Sequence, residues 1–317
     1  MAFLSVAALL LVGAPASTQL SRTFQPTEKL TYRVQSQMQV ESRGRGLNTW
    51  MPEDLTMKYD FTTEVQMMKA DGIAQIRYRR PSLTIVEDTG ADAGPSRSVE
   101  KLNWDLQLTV SPLNKVLEFK DVSPKKTASR RMSTGVGAAQ GQMFGSFIGE
   151  VYRLALFAGS LDSSLDFSPP LPLREVAVGD TWKATVGFQP QKLKGSEGKT
   201  NVQRLDYVYT YAGIVDSNGK KVHRVTGQLE LDTDLAEFFH QATESDSEET
   251  GLAKFPLKLK TKIDFDLDLK TKRTLAARAN SQGGFQIFST RYPDDAIAEE
   301  KLSGGTTLSL VAVGKAK

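Results

Sequence analysis

Cysteine is absent from the chain. Its absence excludes disulfides, thiolate metal sites and the lipidated cysteine that anchors a lipoprotein. Histidine is nearly absent too: only His223 and His240 occur. They stand too far apart to form a ligand motif, which disfavours a histidine-built zinc centre. Both are expected on the surface or in turns. The chain also lacks an excess of either charge, since 40 basic and 37 acidic residues leave a formal net charge of +3. That balance gives no nucleic-acid footprint across the molecule. No apolar stretch reaches the roughly 20 residues that a membrane-spanning helix needs, so no transmembrane anchor is expected. There is no G-x-S-x-G elbow, and Gly135, Gly137 and Gly141 miss the dinucleotide fingerprint by one position. No catalytic nucleophile, cofactor or metal is expected on these grounds.

With 39% apolar and 24% charged residues, the composition is that of a soluble globular protein with a packed core. At 317 residues there is room for one large β domain or for two related halves. Residues Phe3 to Val12 form an apolar run ending in Ala14-Pro15-Ala16, the pattern of a secretory signal with a small-residue cleavage site, although a basic n-region is missing. Export to the periplasm or medium is the expectation. A basic run, Lys125, Lys126, Arg130 and Arg131, reads as a solvated loop.

Period-two patterning dominates both flanks of the chain's middle. Leu257, Leu259, Thr261, Ile263, Phe265, Leu267 and Leu269 alternate with Lys258, Lys260, Lys262, Asp264, Asp266, Asp268 and Lys270, predicting a long strand with one wet face. The charged row is expected to serve solubility and to discourage edge pairing. Leu102, Trp104, Leu106, Leu108 and Val110 repeat the pattern, stopped at Ser111-Pro112-Leu113-Asn114. Upstream of each lies a hairpin signal, Asp71-Gly72 and Asn218-Gly219, dipeptides suited to turns that need φ > 0. The same order in both halves suggests an internal duplication.

Between the halves the period changes. Phe144, Phe147, Ile148, Val151, Leu154, Ala155 and Ala158 recur at three- and four-residue steps, predicting an amphipathic helix from about Ala139 to Ala158. Gly141, Gly145 and Gly149 form a small-residue row on an adjoining ridge, expected where another backbone packs closely. Ser168-Pro169-Pro170-Leu171-Pro172 is an extended connector. The expected organisation is a signal segment 1–16, a β-rich half 17–133, helix and connector 134–172, and a second β-rich half 173–317. The fold class is mainly β: two related antiparallel curved sheets with one central amphipathic helix. Glu244 to Thr250 is acidic and serine-rich but lacks the ligand alternation and glycine of a calcium loop, and reads as an exposed loop.

Val176-Ala177-Val178-Gly179-Asp180-Thr181-Trp182, with Phe265 to Leu275, resembles a group of exported bacterial proteins of unknown function that have two β-rich halves behind a signal peptide. More distantly, curved antiparallel sheets closed by a helix are similar to the periplasmic lipoprotein carriers. That resemblance implies a concave face able to hold acyl chains. Asp88-Thr89-Gly90 resembles the active-site turn of retroviral-type aspartic proteases, where two aspartates share a proton; with one such motif, a dimer would have to supply the second. Glu87 stands where that family is apolar, and the motif also reads as an ordinary polar turn. The leading expectation is an exported, non-enzymatic binding or carrier protein for an apolar or lipid-like ligand held by Phe144, Phe147, Ile148 and Val151. The alternatives are a structural or interaction domain with no pocket, and the dimeric protease. Periodicity cannot separate core burial from ligand burial, because both require the same residues.

Overall fold

The computed structural model describes residues 17–90, 94–124, 147–149, 151, 152, 154, 168–188, 203–243 and 245–315. The expected signal segment, the basic run at 125–131, Phe144, Gly141 and Gly145 lie outside them.

Among the described residues the chain is mainly antiparallel β. The strands are β1 (Glu28–Gly44), β2 (Met51–Met68), β3 (Ala74–Asp88), β4 (Ser96–Val110), β5 (Val116–Asp121), β6 (Thr181–Phe188), β7 (Gln203–Ser217), β8 (Lys220–Asp234), β9 (Leu252–Lys254), β10 (Pro256–Leu267), β11 (Thr274–Ser289) and β12 (Ala298–Lys315). They are not split between two sheets. The order β5-β4-β3-β2-β1-β12-β11-β10-β8-β7-β6 is one continuous sheet, with β9 pairing off the path to β11. The join is β1 against β12, paired from Glu28↔Lys315 to Gly44↔Ala298. Each half is a meander, and β1 and β12 each complete the backbone hydrogen bonding of the other. Two separate sheets would have left both as long unpaired edges.

Strand alternation sets the two faces. In β1, Leu30, Tyr32, Val34, Ser36, Met38 and Val40 are buried while Arg33, Gln35, Gln37 and Gln39 between them are exposed. The same period runs through β10, where Leu257, Leu259, Ile263 and Phe265 are buried. Tyr32, Phe61 and Tyr78 stack across β1, β2 and β3 with centroids 5.0 and 5.1 Å apart. Such pairs contribute about 1 kcal/mol each beyond the area they bury. Both dipeptide hairpins are present: Asp71 and Gly72 (φ 63° and 73°) turn β2 into β3, and Asn218 and Gly219 (φ 53° and 76°) turn β7 into β8.

The ends of the sheet differ. At one end, residues 17–24 and 168–176 run across the turns and tie the halves together. Thr18 bridges Val176, the Arg22 N–H donates to the Pro112 carbonyl at 2.7 Å, and Thr23 N–H to Thr271 at 2.8 Å. Leu171 N–H donates to Leu113 at 3.0 Å. At the other end sit helical residues 147–149, 151, 152 and 154, together with the helices Ala236–Thr243 and Ser247–Thr250. Neither of the last two was expected. Asp246 caps Ser247–Thr250, accepting from Glu248 and Glu249 N–H, and Gly251 closes it at φ 70°. Ser247–Thr250 of the acidic run therefore form a capped helical turn and not a loop.

Candidate functional site

Of the residues expected to line an apolar site, Phe147 and Val151 are buried, at 1% and 2% exposure, and Ile148 is half-buried against the same core. Phe147 meets Phe239 edge-on at 4.8 Å and Phe255 at 5.4 Å, with Phe238 at 6.2 Å. The helix is thus docked on the inner face of the second half through an aromatic cluster that sequence alone could not assemble. Gly149 was expected to sit under a close backbone; among the described residues nothing lies within 4 Å of a Cβ built there.

Beside this cluster the helix makes a polar contact. Tyr152 Oη donates to Glu300 Oε2 at 2.6 Å, and the Tyr152 ring lies 6.4 Å from Phe285. Glu300 sits opposite Ser42 on β1 and Phe285 on β11. Burial pushes its carboxyl up to about 7; the Tyr152 hydroxyl opposes that rise and the nearby Glu53 adds to it. Glu53 is itself raised by burial and by Glu87. Burial and the Glu300 charge raise the Tyr152 hydroxyl well above its ordinary value. These side chains form an acidic rim where the helix meets the sheet.

On the inner face of the first half lies a feature no motif announced. Arg80 is 2% exposed and is among the largest fully buried side chains. Its guanidinium lies 3.6 Å from the Trp104 ring centroid and 4.6 Å from that of Tyr59. Its Nε has neither solvent nor a hydrogen-bond acceptor, and among the described residues it forms no salt bridge. Desolvated cation–π contacts return about 2 kcal/mol or more each, whereas removing a cation from water costs several kcal/mol. Along β3, Arg80 keeps the phase of Ala74, Ile76 and Tyr78, all buried, so plain alternation turns its side chain inward, and the pairing becomes irregular just beyond it. The β3–β4 register shifts between Arg80 and Ser82, the β2–β3 register shifts between Lys58 and Thr62, and Asn103 on β4 has φ 50°. Pro81, which cannot donate to a ladder, sits at the centre of this bulge.

A third feature lies at the closed end. A groove of about 940 Å³ runs between the β4–β5 turn, the connector and the β6 edge. Its apolar lining includes Leu113, Val116, Leu171, Leu173, Trp182 and Val186. Leu173 is 84% exposed. The V-x-V-G-D-T-W segment builds one wall: Gly179 turns at φ 92°, the Asp180 carboxylate accepts from Ala177 N–H and Arg174, and Trp182 Nε1 donates to the Pro170 carbonyl at 2.9 Å. The Ala177 and Arg174 bonds hold Asp180 below the usual carboxylate range. The polar groups of this segment thus fasten its own turn to the connector. A separate cavity of about 930 Å³ opens over the polar face among Glu230, Asp232, Lys258, Lys260 and Lys301, where Lys258 pairs with Asp232 and Lys260 with Glu230.

Other expectations need correction. His223 is not a surface residue: it is 4% exposed, its Nδ1 lies 2.7 Å from Tyr211 Oη, and burial followed by Lys272 lowers its basicity. His240 is half-buried, with Nε2 3.1 Å from Thr250 Oγ1. In the charged row of β10, Asp266 is 2% exposed and bound by Arg224 at 2.7 Å, Arg278 at 3.4 Å and Ser217 at 2.6 Å. That residue ties strands together and does not serve solubility. Asp88 Oδ1 accepts from Gly90 N–H at 3.0 Å, closing a small polar turn. Among the described residues no group of three His, Asp or Glu side chains could hold a metal ion, and no helix is long and apolar enough to cross a membrane.

No protein-family model matches the chain, and no curated protein matches it. Among solved structures it is similar to a chain from a structure of lipid–protein interactions in lipovitellin, at 10% identity and TM-score 0.41, over 93% of this chain and 26% of that one. It spans about a quarter of that chain's length. DynF, from the dynemicin biosynthesis pathway of Micromonospora chersina, is similar at 8% identity and TM-score 0.24, over 96% of this chain and 88% of that one. The hypothetical lipoprotein YmcC of Escherichia coli is similar at 10% identity and TM-score 0.21, over 85% of each chain.

Proposed function

We propose that the chain is an exported, non-enzymatic binding or carrier protein that takes an apolar, lipid-like molecule along the inner face of its sheet. The observation that carries this reading is the groove of about 940 Å³ at the seam where the β4–β5 turn, the connector and the β6 edge meet, with an apolar lining that includes Leu173 at 84% exposure. Exposing so large an apolar side chain beside Leu113, Val116 and Trp182 favours an apolar partner there. From the groove, Val110, Leu108 and Leu106 continue as a buried row along β4. The helix carrying Phe147, Ile148 and Val151 covers the opposite end and bounds the ligand's reach.

A sealed scaffold without a pocket is the competing reading, favoured by the close packing of Phe147 against Phe239 and Phe255. Native mass spectrometry of protein purified from its own host, followed by solvent extraction, separates the two. The carrier reading expects an apolar molecule at one per chain, removable by extraction and restored on adding it back. It also expects Leu173→Asp, which changes only an exposed side chain, to weaken rebinding by about tenfold. No co-purifying molecule, with no binding of an added one, leaves the sealed scaffold.

A further inference from the structure

We propose that Arg80 is the anion-binding residue of this protein: it receives the singly charged head group, a carboxylate or phosphodiester, of an amphiphile whose apolar tail lies on the inner face. The inference rests on the carrier reading and deepens it.

Two independent features point to Arg80. The first is electrostatic. A guanidinium 2% exposed, with its Nε sealed from both solvent and acceptor, is a buried cation for which the described residues supply no anion. Buried charges are ordinarily paired with an opposite charge, and here the two ring faces compensate the guanidinium only in part. Trp104 and Tyr59 hold the plane of the group by their ring faces, leaving the donor edge as the direction for an acceptor. Arginine's planar fork matches carboxylates and phosphates, which it binds through parallel N–H···O bonds.

The second is the backbone. Three adjacent strands depart from regular pairing at this one place: β2 between Lys58 and Thr62, β3 across Pro81, and β4 at Asn103 with φ 50°. Bulges of this kind re-aim side chains and recur beside functional sites. Tyr78 and Arg80 are buried before the register shift and Leu83 after it, so Arg80 is the last inward residue before the irregularity, with the unpaired backbone of the bulge directly beside it. From Trp104 the buried row Leu106, Leu108, Val110 leads toward the seam groove, an apolar track for a tail whose head sits on Arg80.

The test is solution binding to lipid-extracted full-length protein, followed by Trp104-sensitive fluorescence and by calorimetry, with three probes: oleate, oleyl alcohol and a short-chain phosphatidylglycerol. The wild type is expected to bind at least one anionic probe tenfold or more tighter than oleyl alcohol. The order of oleate and phosphatidylglycerol identifies the head-group source. Arg80→Gln should abolish the preference while leaving oleyl alcohol binding within about twofold, and Arg80→Lys should retain part of it. Binding of all three probes without preference, or a preference that survives Arg80→Gln, overturns the assignment and leaves the carrier reading intact. Failure of all three to bind overturns both. Should Arg80→Gln not fold, the wild-type comparison of oleate with oleyl alcohol, with Arg80→Lys, still decides.

Discussion

Glu300 makes the stability of the helix-bearing end depend on pH in a direction that can be worked out. Its carboxyl rises from an ordinary value of 4.5 to about 7, with burial the largest cause. A group whose folded-state pKa lies above its unfolded one favours folding below the unfolded value and loses that contribution as pH rises through the folded value. The window is therefore roughly pH 4.5 to 7, and the folded state is penalised above it. At 1.36 kcal/mol per pH unit the full rise corresponds to roughly 3 kcal/mol. Because Glu300 keeps some contact with water, about 2 kcal/mol is the expected size. Glu300→Gln removes the titration while its amide oxygen can still accept the Tyr152 hydroxyl. Urea unfolding of both proteins at pH 5, 6, 7 and 8.5 gives the difference directly. Expected is a variant near wild type at pH 5 that becomes more stable by about 2 kcal/mol at pH 8.5, with unchanged m-value. A difference flat with pH, or growing toward acid, refutes the reasoning.

Gly283→Ala should lose about 3 kcal/mol or more in thermal or urea unfolding, because its Cβ would fall on the Lys258 carbonyl oxygen and Leu259 backbone and overpacking against backbone cannot be relieved by a rotamer. Gly314→Ala, with nothing within 4 Å, is the control and should change stability by less than about 0.5 kcal/mol. Asp266→Asn should destabilise by about 2–3 kcal/mol, since it leaves Arg224 and Arg278 facing a neutral group in a nearly buried site; a circular dichroism melt unchanged within error would contradict that.

The sequence by itself determined the mainly β class, the strand character around Trp104 to Val110 and Leu257 to Leu267, and both hairpin turns. Period-two burial and the φ > 0 demand of Asp71-Gly72 and Asn218-Gly219 are local, so local residues report them. It also placed Phe147 and Val151 on an apolar face, yet it could not say that Phe239 and Phe255 would fill the space opposite. Tertiary structure alone decided that β1 and β12 join the halves into one sheet, since pairing partners from opposite ends of the chain leave no local trace. Burial of His223 and Asp266 escaped for a related reason: Tyr211, Arg224 and Arg278 come from neighbouring strands. Arg80 was legible only in hindsight, as an arginine beside Pro81 inside an alternating run. Its inward phase follows Ala74, Ile76 and Tyr78, but that Tyr59 and Trp104 and no carboxylate stand against it is decided by the neighbouring strands, which one strand's sequence does not encode.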